Sequence, residues 1–284
     1  MENKLTYITV LQPGISSVQD KGRYGYLSEG VPISGFMDAR SAGIANLLVG
    51  NPIDTACIEW AVLPPKLKFN KETIIAITGA VGNIYINDEK VKSYKSLYVP
   101  ENAVVTFGVV ENGVYGYLSI KGGARTSKIL GSRSFFYQIT EYSNFFKGLG
   151  IPYLPDQNIS ISNTSLINNF KIKLIETIEV YPGPEFKLLT IRQQELLFNT
   201  YFKPSMDRSR MGIQLEADFH KHEFNMLSSP VLPGTVQWTP SGKLIVLMND
   251  AQTIGGYPRL LQLSSDAIVK IAQHKNDFVF VVKN

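Results

Sequence analysis

The chain has 284 residues, 44% of them hydrophobic and 18% charged, which supplies a substantial core and excludes a disordered polypeptide. Lys and Arg number 28 against 24 Asp and Glu, leaving a formal charge of +4 with no basic block, so nucleic-acid binding has no footprint. No stretch approaches the roughly 18 apolar residues of a membrane span, residues 1–14 have no apolar leader core, and the one cysteine, Cys57, fits a reducing compartment, so the expected location is the cytoplasm.

In chain order, short runs of β-branched and aromatic residues bounded by turn residues predict strands over 4–11, 73–78, 83–86, 96–99, 104–110 and 114–121. A helix over 39–49 interrupts them, with Asp38 as its cap, Ala42, Ala45, Leu48 and Val49 on one face, and Gly50 as its end. The Asn-rich tract 157–169 reads as a loop. Further strands are expected over 170–180, 212–215, 235–239, 243–248 and 278–282. Pro184 and Glu185 open a helix to about Asn199, and Ser264 or Ser265 caps another over 266–273. The fold class is therefore mainly β with a few short helices, and two barrels plugged by helices fit the length. The boundary is placed at 1–170 and 171–284, with room for strand exchange between the two domains.

Three clusters carry candidate chemistry. The strand over 243–248 is apolar on both faces and delivers Asn249, Asp250, Gln252 and Thr253 where it ends. Polar groups buried at such an exit need partners or a ligand, since an unpaired one costs on the order of a few kcal/mol. Asp250, Gln252 and Thr253 are thus candidate catalytic residues, and Gly255, Gly256 and Tyr257 candidate binding positions; alternatively, Asp250 caps its own loop. Second, Gly22, Gly25, Gly30 and Gly35 permit turns among Gln19, Asp20, Arg23, Ser34 and Asp38. Gln19, Asp20 and Ser34 are candidate substrate contacts, and Asp38 is either a catalytic residue or a plain helix cap. Third, Arg208 and Arg210 lie two apart, on one face of an extended chain, and suit a substrate carboxylate, or else belong to a solvated loop paired with Asp207.

The absences are equally informative. No phosphate-cradling loop, dinucleotide fingerprint, serine-nucleophile elbow or biotin-carrier segment occurs, so the chain has no motif for binding a cofactor. His220, His222 and Glu223 lack the spacing of a zinc site, and no metal is expected.

Residues 11–14, Gln19 with Asp20, Gly22 with Arg23, Gly25 with Tyr26, 30–32, Ser34 with Gly35, Met37 with Asp38, and 46–51 with Glu59 resemble the opening of the KipA / PxpC family, also known as allophanate hydrolase subunit 2. Residues 131–134, 181–184, 207–212, 233–237 and 250–258 resemble its later motifs, in the same order. The resemblance implies two cyclophilin-like β-barrel domains. It implies a subunit of an ATP-dependent 5-oxoprolinase, an amide hydrolase that opens 5-oxoproline to glutamate with a PxpB/KipI-like partner and a PxpA-like chain. ATP is then used by the complex, and homo-oligomers are compatible. Gln237, at the end of one matched motif, joins the binding candidates. Two alternatives stay open: the carboxyltransferase half of a biotin-dependent urea carboxylase, with biotin on a partner, and a non-enzymatic regulator that binds a KipI-like kinase inhibitor. After Ser134 this chain departs from the family: residues 135–154 are aromatic where a glycine-rich stretch is usual.

Overall fold

The strand Tyr115–Ile120 is buried at all six positions, which an apolar strand allows only when both sheet faces are covered. The computed structural model describes residues 5–155, 177–217, 219–224 and 226–283, and it is mainly β with three α-helices, as expected. The predicted loop 157–169, the start of the strand expected over 170–180 and the proposed boundary at 170 lie outside the described residues. The chain divides into two units, Met1–Arg23 with Ser34–Ile172 and Tyr24–Ile33 with Lys173–Asn284.

The first unit contains β1 (Thr6–Gln12), β2 (Ser16–Gln19), α1 (Ala39–Leu48), β3 (Cys57–Ala61), β4 (Lys66–Phe69), β5 (Thr73–Gly79), β6 (Ile84–Ile86), β7 (Glu89–Val91), β8 (Ser96–Val99), β9 (Val104–Phe107), β10 (Tyr115–Ile120) and β11 (Gly150–Tyr153). They form two antiparallel sheets, ordered β11-β1-β4-β9-β6-β7 and β2-β3-β10-β5-β8. Ile8, Leu67, Phe69 and Val105 of one sheet share a core with Ile58, Trp60, Ile75 and Leu118 of the other. Helix α1 covers the outer face of the second sheet through Leu48 and Val49, against Ile74 and Ala76. The aromatic stretch after Ser134 shields an edge: the N–H groups of Phe135 and Phe145 donate to the carbonyls of Val18 and Ser16 on β2, both at 2.8 Å. An exposed strand edge is thereby closed to foreign strands.

The second unit contains β12 (Thr177–Pro182), α2 (Ile191–Asn199), β13 (Pro204–Arg208), β14 (Gly212–Leu215), β15 (Ser229–Pro230), β16 (Thr235–Trp238), β17 (Leu244–Leu247), β18 (Ile254–Gly255), β19 (Arg259–Leu263), α3 (Ser265–Gln273) and β20 (Val279–Val282). Its main sheet runs β13-β14-β17-β16-β19-β12-β20, parallel only between β12 and β20. Strands β15 and β18 pair separately.

The helix expected from Pro184 starts instead at Ile191. Thr190 and Gln193 form a reciprocal capping box there. Residues upstream are held by another bond: the Glu185 carboxylate accepts from Arg259 Nε and Nη2, both at 2.8 Å, and from the Arg259 backbone N–H at 3.0 Å.

Arg259 holds the Glu185 carboxyl below its ordinary pKa, so this bond stabilises the fold at neutral pH and fails as pH falls through the carboxylate range. Glu185→Gln is expected to cost about 1.5–3 kcal/mol at pH 7. In urea denaturation the difference from the parent chain should shrink at about pH 3, below the ordinary carboxylate range.

Candidate functional site

In the second unit the exit of β17 is built around an ion pair. Arg210 donates from Nε and Nη2 to the two Asp250 carboxylate oxygens, at 2.7 and 3.1 Å, and the Asp250 backbone N–H returns a bond to the Arg210 carbonyl at 2.8 Å. The pair is largely shielded from solvent, with side-chain exposures of 18% for Arg210 and 10% for Asp250. Two chain segments 40 residues apart are thus locked in one register by a planar fork.

Beside it, Gln252 donates to the Oε1 of Gln237 at 3.5 Å, and the buried Gln237 Nε2 has no hydrogen-bond partner. Gly255 leaves room for this amide: a Cβ there would come within 2.4 Å of Gln237 Nε2. Thr253 is buried and accepts through its carbonyl from Val231 N–H, while Gly256 and Tyr257 are exposed. Gln252 and Gly255 thus adjoin Gln237, and Gln252 follows Asp250 of the ion pair by two residues. A carboxylate, a guanidinium and two side-chain amides together can orient a substrate that carries both an amide and a negative charge.

Arg208 turns elsewhere. Its Nη1 donates to the His274 carbonyl, and its Nη2 to the Ile271 and Ala272 carbonyls, so it ties off the end of α3, whose last carbonyls lack helical donors. His222 is similarly occupied: Phe224 N–H donates to Nδ1, which leaves the ring proton on Nε2 to donate to the Trp238 carbonyl. Among the described residues no cluster of three or more His, Cys, Asp or Glu could hold a metal ion.

In the first unit Asp20, Gln19 and Asp38 are all buried and engaged. Asp20 accepts from the Gly22 N–H, the Arg133 N–H and the hydroxyls of Ser132 and Ser134. Gln19 donates to the Ser17 hydroxyl and the Phe135 carbonyl. Asp38 caps α1, taking the Ser41 N–H at 2.9 Å and the Ser41 hydroxyl at 2.6 Å. The cap geometry realises the simpler of the two expectations for that residue. Glu59, not singled out for chemistry by pattern, accepts at one carboxylate oxygen from the Met37 N–H and the Tyr117 hydroxyl. Burial and the charge of Glu59 push the Tyr117 phenol well up, so it stays a neutral donor.

Ser34 stands apart from these satisfied groups. Its backbone has φ of 57°, uncommon without glycine, and its buried hydroxyl has no hydrogen-bond partner. Gly35 beside it has φ of 81° and lies so close to the 20–22 backbone that a Cβ would meet Asp20 O and Gly22 N within 2.9 Å. A strained serine beside a position that only glycine fits marks a segment held in shape by its surroundings.

The strength of the Arg210–Asp250 pair is open to a double-mutant cycle. Asp250→Asn and Arg210→Gln are each expected to destabilise the chain, and the double variant by less than the sum, with a coupling of about 1–3 kcal/mol in urea denaturation.

The chain matches the family model for the carboxyltransferase domain, subdomain A and B, over residues 29–280. It is 29% identical over 275 residues to the 5-oxoprolinase C subunit of Escherichia coli, spanning 94% of this chain and 87% of that one. It is 32% identical over 228 residues to urea amidolyase of Saccharomyces cerevisiae, covering 74% of this chain and 12% of that protein. Among solved structures, TTHA0988 superposes with a TM-score of 0.87 at 24% identity, the whole of this chain spanning 56% of it. The Kluyveromyces lactis urea carboxylase superposes with a TM-score of 0.86 at 27% identity, this chain spanning 28% of it. With residues 29–280 of its 284 matched, the chain belongs to the family of carboxyltransferase domains composed of subdomains A and B.

Proposed function

We propose that this chain is the C subunit of an ATP-dependent 5-oxoprolinase, acting with PxpB/KipI-like and PxpA-like chains in the cytoplasm to open 5-oxoproline to glutamate. The observation that carries this reading is the match with the Escherichia coli 5-oxoprolinase C subunit over 94% of this chain and 87% of that relative. The urea amidolyase match covers only 12% of a far longer protein.

The chemistry of the Arg210–Asp250 neighbourhood supports the reading. 5-Oxoproline carries a carboxylate and a lactam, which presents one N–H donor and one carbonyl acceptor. In the proposed complex the guanidinium of Arg210, held by Asp250, faces the carboxylate. The unpartnered Gln237 amide donates to the lactam carbonyl, with Gln252, Thr253 and the Gly255 and Gly256 backbone beside it. Asp250 orients the lactam nitrogen, where geometry matters more than an extreme pKa. Gln19, Asp20, Ser34 and Asp38 form a second cluster in the first unit. ATP is consumed by the complex, and this chain carries no recognisable nucleotide motif of its own.

A second reading rests on one observation. Over 129 residues the chain is 41% identical to urea amidolyase of Lachancea kluyveri, above the 29% it shares with the Escherichia coli 5-oxoprolinase chain. In that reading the chain is the carboxyltransferase half of a system whose biotin sits on a partner.

The test is reconstitution of the chain with the products of neighbouring genes, ATP and 5-oxoproline, followed by glutamate release. Gln237→Leu and Asp250→Asn should each lower turnover by about tenfold or more, as expected for the loss of a hydrogen bond to reacting groups. Full activity in Asp250→Asn removes that residue from the mechanism. Biotin-dependent carboxylation of urea without glutamate release selects the second reading, and inhibitor binding without turnover in any mixture selects a regulator.

Ser34→Gly separates strain from stability. It should leave the melting temperature unchanged or slightly raised, because the backbone strain is relieved, while turnover falls if the strained serine serves the reaction.

A further inference from the structure

The first unit contains a half-open cavity of about 370 Å³, remote in sequence from the β17 exit. Four cations line it, Lys21, Arg125, Lys128 and Arg133, against two carboxylates, Asp20 and Asp54. The two carboxylates leave an excess of positive charge, although the charge of Asp20 reaches Arg133 and opposes the lowering of its pKa. Asp54 pairs with Lys21 at 3.1 Å, and the oxygens of Asp20 are taken up by one serine pair and two backbone N–H groups. Arg125, Lys128 and Arg133 form no ion pair within the described residues.

Both walls of the cavity are fixed by buried side chains. On one side Asn51 accepts from the Gly122 N–H at 2.9 Å and donates to the Ile120 carbonyl at 2.8 Å, fastening the turn at Gly122 and Gly123, both at positive φ. On the other, Asp20 fastens the turn that presents Arg133, whose backbone N–H it accepts at 2.7 Å. The backbones of Arg125 and Arg133 are thus pinned, the former also through its N–H to the Pro152 carbonyl at 2.7 Å, which lowers the ordering left to accomplish on binding. Arg133 is half-buried, and burial first and the nearby Arg125 second hold its pKa below the ordinary value. Like charges converging on a partly desolvated space are relieved by an anion.

We propose that this cavity binds a small phosphoryl-bearing anion, with Arg125, Lys128 and Arg133 as the cations that hold it. Guanidinium forks match the paired oxygens of a phosphoryl group, and a lysine adds a compact point charge. The assignment goes beyond the reading of the β17 exit and requires neither partner chains nor turnover. The same phosphoryl chemistry arrives on a free oxyanion or on a nucleotide, and the ligand series distinguishes them.

The test is isothermal titration of the full chain with inorganic phosphate, pyrophosphate, ATP and 5-oxoproline at low salt. Pyrophosphate is expected to bind, more weakly as salt rises. Arg133→Gln and Lys128→Gln should each weaken it by about tenfold, a typical loss for one charge-assisted contact. Lys128 is exposed and its replacement spares the packing, while Lys90→Gln, on the exposed β7 hairpin, should change nothing. ATP binding no tighter than pyrophosphate points to a free oxyanion, and ATP binding tenfold tighter points to a nucleotide. The proposal is overturned if neither pyrophosphate nor ATP binds, if both cavity variants bind like the parent chain, or if 5-oxoproline is preferred to every phosphoryl ligand.

Discussion

A carboxylate taken out of water must have its lone pairs filled, and Asp20 obeys this by reaching across more than a hundred residues of chain. Its two oxygens join the end of β2 to the Ser132–Ser134 turn, and the first unit's organisation follows from that knot. The turn fixes Arg133, its continuation lays Phe135 and Phe145 along the open edge of β2, and those rings enter the core shared by the two sheets. Aromatic contacts among Phe135, Tyr142 and Phe145 then close the segment on itself. The second unit meets the same requirement differently, pairing Asp250 with a guanidinium where Asp20 uses hydroxyls and N–H groups.

These two solutions have different chemical meanings. Asp20 takes its hydrogen bonds from neutral donors, two hydroxyls and two backbone N–H groups, so those bonds serve architecture. Asp250 and Arg210 cancel each other near the end of a strand, and Gln252 of the same loop reaches Gln237 on β16, whose side-chain amide is unsatisfied. Polar groups left incomplete in an otherwise well-satisfied interior are where a ligand has something to gain. Ser34, with an idle hydroxyl on a strained backbone, belongs in the same class.

Much of the fold was legible because apolar, β-branched runs such as Ile74–Ile77 and Leu244–Leu247 carry their burial in their composition. Strand β2, with the sequence Ser16, Ser17, Val18, Gln19, did not announce itself: its Gln19 is buried with its amide donated to the Phe135 carbonyl, a partner distant in sequence that no local pattern records. The start of α2 was readable, since Thr190 and Gln193 have capping-box spacing, but the proline at 184 offered a competing start. The site was legible as residue types and much less as roles. Arg208 ends strand β13 while Arg210 lies in the turn towards Gly212, and that difference in place takes one to a helix end and the other to a carboxylate. Arg125 and Lys128 sit in an irregular segment with no periodicity, and only the folded turns around them give their charges a common target.

The ten residues Tyr24–Ile33 belong to the second unit although the chain on either side of them belongs to the first. The polypeptide therefore crosses between the units three times, and no single cut yields two self-sufficient pieces. A gene fragment ending near the middle would strand that decapeptide away from the body it folds with. Recombination can thus move this pair only as one heritable block, which agrees with the whole chain superposing inside the much longer Kluyveromyces lactis protein.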